Sequence, residues 1–310
     1  LRTLAVGRRH QTMPLPPPPA LPYFCDPAKL PDALPTSSEI EASPSNLPTI
    51  RDPRFGRIVL VRGCFVVKYG VLVTENEGHA LLFLENHPSI PTPPLYAMYR
   101  EGDKLYLIMG LMPGKQLAFL WDDLSEGEQM DISKQLRSIW DSVRSIPSPT
   151  LFGSVCGGPL RHRFFLCREA DPRITGPFEK EEDLCRALAL RSQRNWEGHK
   201  MRPWTSEFFA RNLPVALKGH ESVFTHCDLQ RKNILVEELP AEGDDVKRRF
   251  RVSAVLDWED AGWYPSYWEY AACFVDFQWV DDWPEKVETI LDPHLLESAM
   301  LRMVRQDLDY

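Results

Sequence analysis

One stretch constrains the fold of this chain more than any other: "FTHCDLQRKNILV", residues 224–236. It sets His226, Asp228 and Asn233 in His-x-Asp-x-x-x-x-Asn spacing between two short apolar runs. A further apolar run, "RVSAVL", ends on Leu256 and is followed at once by Asp257. Short apolar, β-branched runs of this kind read as buried strands. The polar residues therefore fall at strand ends, where side chains can meet a ligand while the backbone behind them is fixed. A carboxylate at the start of the loop can face an acceptor, and the amide of Asn233 can turn back towards a metal. Asp257, leaving a buried strand, offers the hard oxygen that magnesium takes. His226 is expected to make structural hydrogen bonds.

Phosphoryl transfer needs a cation on the phosphates, oxygen ligands for magnesium and a carboxylate to take the acceptor's proton. The spacing from His226 to Asn233 is that of a kinase catalytic loop. Lys68 closes the strand "CFVVKY", and Glu77 begins the helix-like run after it, placed to pair with the ammonium. Singly these are ordinary features: a strand-edge lysine, an acid favoured by a helix dipole, an aspartate that caps or turns. In this order they form a set.

Composition narrows the alternatives. The 310 residues carry 36 Lys and Arg against 44 Asp and Glu, a net charge of −8, which argues against a nucleic-acid partner. Seven scattered cysteines without a C-x-x-C pair fit neither a disulfide framework nor a zinc site, and point to the reducing cytoplasm. No apolar run approaches the roughly 18 residues of a membrane helix. The first residues, "LRTLAVGRRHQTMPLPPPPALP", lack an apolar core of signal-peptide length.

Residues 1–50 are proline-rich and without periodicity, which predicts a disordered or polyproline II arm. Residues 51–112 read as a small β-rich lobe: a hairpin "RIVLVRGCFVVKYG" turning at Arg62-Gly63, a helix, and a second hairpin turning at Gly102-Asp103. Residues 113–310 read as a larger helical lobe. It opens with a capping box at Ser125 and Glu128 and includes "WTSEFFARNLPVAL", a helix expected to break at Pro214.

"FTHCDLQRKNILV" together with "AVLDWEDAGWYPSYWEY" resembles the aminoglycoside phosphotransferase and choline kinase superfamily, in its fungal branch. "VVKYG", "EGHALLFLENHPSIPTP", "LYLIMGLMPGKQL", "GSVCGGPLRHRFF" and "GPFEKEEDL" extend the resemblance over roughly residues 55–281. It implies an α+β, protein-kinase-like fold of two lobes with ATP and Mg2+ between them. It further implies Asp228 as catalytic base, Asn233 and Asp257 as magnesium ligands, and Lys68 with its partner Glu77 on the phosphates. Two features depart from the family. Cys227 stands where glycine is usual, and no G-x-G-x-x-G loop is present, leaving Gly63 in the Arg62-Gly63 turn to cover the nucleotide. A nucleophilic Cys227 beside His226 lacks a third group to orient it.

The expected activity is ATP-dependent phosphorylation of a hydroxyl on a small metabolite. The alternatives are a catalytically degenerate binding protein of the same fold, or a protein kinase, for which "AGWYP" follows Asp257 too closely. Glu259, Asp260 and Glu269 with Trp263 and its aromatic neighbours suggest a cationic acceptor.

Overall fold

The computed structural model describes residues 13–48, 52–167, 169–197, 204–240, 248–275 and 281–308. Its first elements come from the proline-rich arm: strand β1 (Tyr23–Phe24) and helix α1 (Ser37–Ala42). The Thr36 hydroxyl caps α1 by accepting the Glu39 N–H. Ile40 of α1 is fully buried, and Met13, Leu15, Leu21 and Tyr23 pack on the main core. Of the arm expected to be disordered or polyproline II, residues 13–48 thus carry short elements and side chains that pack on the sheet and core, while residues 1–12 lie outside those described. Proline removes donors and periodicity, but irregularly spaced apolar side chains can still cover a ready-made sheet. Proline also lowers the entropy lost in doing so.

The sheet is built from β2 (Arg57–Val61), β3 (Phe65–Gly70), β4 (Leu95–Glu101) and β5 (Lys104–Gly110), with helix α2 (Glu75–Leu84) between β3 and β4. Five antiparallel strands run in the order β1-β4-β5-β3-β2. Arg62 and Gly63 both have positive φ, 51° and 68°, in the three-residue turn (62–64) between the paired Val61 and Phe65. Register fixes the faces: Ile58, Lys68 and Leu107 are cross-strand partners on one face, as are Leu60, Val66 and Met109. The opposite face carries Val59, Val67, Tyr69, Tyr106 and Ile108 and is closed by Ile40.

The remainder comprises β6 (Lys115–Gln116), α3 (Glu126–Arg144), β7 (Gly153–Ser154), α4 (Pro172–Thr175), α5 (Glu181–Trp196) and α6 (Trp204–Ala216). There follow β8 (Ser222–Thr225), β9 (Ile234–Leu239), β10 (Arg249–Val255), β11 (Gly262–Pro265), α7 (Trp268–Val275), α8 (Trp283–Ile290) and α9 (Leu295–Leu308). The short strands make two three-stranded sheets, β10-β9-β6 and β7-β11-β8. Both halves of the capping box at Ser125 and Glu128 are formed. Pro214 does not break α6: it sits in the last turn, where the missing N–H costs one bond, and the helix ends at Ala216.

One core joins the halves. Leu107 and Met109 of the sheet, Ala80, Leu81 and Leu84 of α2, and Ile132, Leu136 and Trp140 of α3 belong to a single buried cluster. The architecture is α+β, a β-rich N-terminal lobe on a larger helical lobe. No helix among the described residues is long and apolar enough to cross a membrane.

Candidate active site

Lys68 lies on the sheet face that looks towards the helical lobe, beside Ile58 and Leu107. α2 packs on this face because Gly78 lets it approach. A Cβ there would meet the Met98 sulfur at 2.5 Å and Leu107 Cδ2 at 3.3 Å. Glu77, next to that glycine, reaches Lys68 Nζ at 2.6 Å. Asp257 Oδ1 and Glu259 Oε2 reach the same ammonium at 2.6 and 3.0 Å. Lys68 and Glu77 are buried, whereas the side chains of Asp257 and Glu259 keep 31% and 26% exposure. An incoming ligand therefore meets carboxylate before ammonium.

Three carboxylates crowd one ammonium, and burial makes the charged form of the innermost, Glu77, costly. Burial raises the Glu77 pKa to about 7, against the pull of Lys68 and with the help of Asp257 and Glu259. Asp260 is likewise raised to about 7, first by burial and then by Glu259, Asp257 and Asp228, with His162 opposing. The oxygens of Glu77, Asp257 and Glu259 lie within 4.8 Å of one another. Clustered hard oxygens with excess negative charge fit a divalent cation such as magnesium. The sign of the pH dependence follows. Below the ordinary values of 4.5 and 3.8 both acids are protonated in either state. As pH rises towards 7 the unfolded chain loses these protons while the folded protein keeps them, so stability falls across this interval. Denaturation midpoints measured from pH 4.5 to 7 should decline, and Glu77→Gln should flatten the decline.

The second half of the site is the loop after β8. β9 and β10 pair with Ile234 opposite Val255, which puts Asn233 and Asp257 at the same end of one ribbon. Leu256 N–H donates to the Asn233 carbonyl at 2.7 Å, and His226 Nε2 lies 2.8 Å from the Leu256 carbonyl. His226 Nδ1 accepts the Asp228 N–H at 3.1 Å, which assigns the ring proton to Nε2, facing the Leu256 carbonyl. This is the structural role expected for it. The Asp228 carboxylate receives Asn233 Nδ2 at 2.7 Å, the Gln230 amide, and Lys232 Nζ at 3.2 Å. With Nδ2 occupied, Oδ1 is the Asn233 atom left to hold a cation.

Several expected site residues lie elsewhere. Glu269 is fully buried, and its Oε2 accepts the backbone N–H of His226 at 2.8 Å and of Cys227 at 3.2 Å. It is a brace beneath the loop, not an acid at the cleft mouth. Glu269→Ala should lower melting temperature and turnover together, leaving the salt dependence of KM unchanged. Trp263 is also fully buried, with Nε1 on the Val155 carbonyl at 3.2 Å. Trp258, Tyr264, Tyr267 and Trp268 are core as well. Trp263 and Tyr264 lie on β11, which is buried throughout, and Trp268 opens the buried helix α7.

Gly63 is not brought to the cluster. It stands at the Phe65–Gly110 end of the hairpin, five residues from Lys68, about 16 Å along a strand. The chain folds back at the other end. Residues 45–47 pair with β2 through Leu47 N–H to the Ile58 carbonyl and Leu60 N–H to the Ser45 carbonyl. The connection back to β2 presses Phe55 and Gly56 against Gly70, where a Cβ would lie 2.3 Å from the Phe55 carbonyl oxygen. Cys227 has φ 75°, the left-handed conformation that favours glycine. Its backbone bond to Glu269 secures it, and burial raises its thiol pKa well above the ordinary range, which removes it as a nucleophile.

Asn76 was not anticipated. It lies on the buried Ala80–Leu84 side of α2, and a polar residue in that stripe is the sequence signal it leaves. Its Nδ2 donates to the carbonyls of Glu259 and Ala261 at 2.9 and 2.8 Å, and its Oδ1 accepts Val155 N–H at 3.3 Å. It therefore fixes the Glu259 loop against the helix that carries Glu77. His162 is a second such residue, buried with its N–H on the Tyr264 hydroxyl, which donates to the Asp260 carbonyl.

The profile of the phosphotransferase enzyme family (APH) matches residues 72–292. No curated protein sequence matches the chain. Among solved structures, the gentamicin–APH(2")-IIa complex superposes with a TM-score of 0.51 at 15% identity, covering 85% of this chain and 78% of that one. The streptomycin–ATP–APH(2")-IIa ternary complex gives 0.53 at 15% identity, with 88% and 82% covered. A putative fructosamine-3-kinase from Haemophilus somnus 129PT gives 0.52 at 11% identity, with 87% and 84% covered. At such identities the likeness is one of fold, the protein-kinase-like fold expected from the sequence.

Proposed function

Because the chain belongs to the phosphotransferase enzyme family, we propose that it transfers the γ-phosphate of ATP to a hydroxyl of a small metabolite. The observation that carries this reading is the convergence of Glu77, Asp257 and Glu259 on Lys68, tied by the Asn233–Leu256–His226 hydrogen bonds to Asp228. The half-buried apolar side chains of Ile58, Leu60 and Val66, on the same sheet face as Lys68, suit a nucleobase. Lys68 holds the phosphates as a point charge, and Glu77 keeps it in place. Asp228, held by Asn233, Gln230 and Lys232, orients the acceptor hydroxyl and takes its proton. The hydroxyl oxygen bonds to the γ-phosphorus as the bond to the bridging oxygen breaks, leaving ADP. Asn233 and Asp257, with Glu259 beside them, are the residues to hold magnesium, which when bound would offset the charge of the phosphates.

Asp257 has φ 62°, a left-handed conformation that aspartate tolerates and that turns the chain straight from β10 towards β11. That direct connection leaves no segment to lay out a peptide, which disfavours a protein kinase. The backbone bond from Cys227 to Glu269 keeps the loop in shape despite its side chain, which disfavours a degenerate site.

With the aromatic residues in the core, a cationic acceptor rests on Glu259 and Asp260 alone. Gentamicin and streptomycin appear in the named complexes of fold neighbours and suggest the first compounds to try. Full-length protein should turn over labelled ATP with an amine-bearing member of a metabolite panel, with KM rising as salt is added. Mg-ATP binding with no acceptor phosphorylated would sink the transferase reading. Turnover of uncharged acceptors alone would remove only the charge argument.

A further inference from the structure

A second cluster of ligand-type side chains lies under the helical lobe, outside the active site. Glu181 opens α5, His220 precedes β8, and His294 and Glu297 stand at the start of α9. Both Glu181 oxygens are engaged by His220: Oε1 lies 2.7 Å from ring Nδ1, and Oε2 accepts the backbone N–H at 3.0 Å. A carboxylate on Nδ1 holds the proton there and turns the Nε2 lone pair outward, the arrangement that orients metal-binding histidines. Nε2 then faces a second carboxylate, Glu297 Oε1, at 3.2 Å. Two acceptors face to face repel unless a cation lies between them. Ligand atoms of His220, His294 and Glu297 lie within 4.8 Å of one another, so small side-chain rotations close them around one ion. Two imidazoles and a carboxylate suit zinc better than magnesium or calcium.

Tyr267 points to a ligand independently. Its ring lies edge-on to His220, centroids 4.7 Å apart, and 6.4 Å from His294. It is fully buried, and its hydroxyl has no hydrogen-bond partner among the described residues. After burial, the charges acting on that hydroxyl are those of Cys185, Glu181 and Glu297, which places it beside the cluster. A water on the ion would supply the missing partner.

We propose that His220, His294 and Glu297 bind a divalent transition-metal ion of the zinc class, with Glu181 as the positioning residue. The ion clips the lead into β8 to α9, with α5 joined through Glu181, and lies beside Tyr267, two residues before the Glu269 brace. It is a structural site, separate from the nucleotide chemistry.

The test uses the full chain after chelator treatment, titrated with Co2+ and with Zn2+. One equivalent of Co2+ should give the visible absorption of a tetrahedral site, and excess Zn2+ should raise the melting temperature by several degrees. His220→Gln and Glu297→Gln should abolish the band, and Glu181→Gln should weaken Co2+ by about 10–100-fold. Circular dichroism checks the fold, and Glu297→Gln, partly exposed and isosteric, carries the test if His220→Gln misfolds. No Co2+ band, a band unchanged in these variants, or no Zn2+ effect on melting overturns the proposal. His220 then only bridges the two glutamates through its ring.

Discussion

In Asp228→Asn, turnover is expected to fall by about a hundredfold or more, the scale of losing a general base. The replacement keeps the shape of the site. Its amide oxygen can still accept from Asn233 Nδ2, and the His226–Asp228 backbone bond is untouched. What it cannot do is take a proton from the acceptor. Lys232 loses a half-exposed ion pair, a term of at most about 1 kcal/mol. ATP affinity measured by calorimetry should therefore match the parent while turnover collapses. Turnover near the parent's would remove Asp228 as the base.

Lys68→Met is expected to have the largest effect on the whole molecule. Lys68 is the ammonium that Glu77, Asp257 and Glu259 share. Removing one partner of a buried ion pair costs about 3–5 kcal/mol, because the remaining charge stays buried. Protonation of Glu77, already raised to about 7, limits that cost. The double variant Lys68→Met/Glu77→Gln separates stability from function, since it removes the buried carboxylate along with the ammonium and leaves only the part-exposed Asp257 and Glu259. It should recover most of the lost stability without recovering ATP binding. A double variant that binds Mg-ATP like the parent would take Lys68 out of the nucleotide site.

Both expectations rest on residues legible in the sequence, and the reason is local. Lys68, Asp228, Asn233 and Asp257 lie on or beside short strands whose period and ends the apolar pattern marks. Glu77 was legible because it lies in the first turn of a helix. What stayed hidden depends on contacts between distant segments. Nothing near Glu269 tells that its carboxylate meets the N–H groups of His226 and Cys227, and an acid followed by aromatics reads equally as a cleft wall or a buried brace. Gly63 was misplaced because one glycine-bearing turn marked that hairpin. The pairing of residues 45–47 with β2 is too short to leave a pattern. Asn76 and His162 act through backbone groups of remote loops, which no spacing encodes.

The closure of the sheet by Ile40 and β1 has a practical consequence. The family profile starts at residue 72, after Lys68, Gly70 and the whole β2–β3 hairpin. A protein trimmed to that boundary would lose Lys68, the lysine proposed to hold the phosphates. Trimmed only of its proline-rich arm, it would keep the lysine but expose one side of Val59, Tyr69, Tyr106 and Ile108, a greasy plate that invites self-association. Expression should therefore begin upstream of Met13, because the piece that keeps the sheet and core covered is longer than the piece that kinship makes visible.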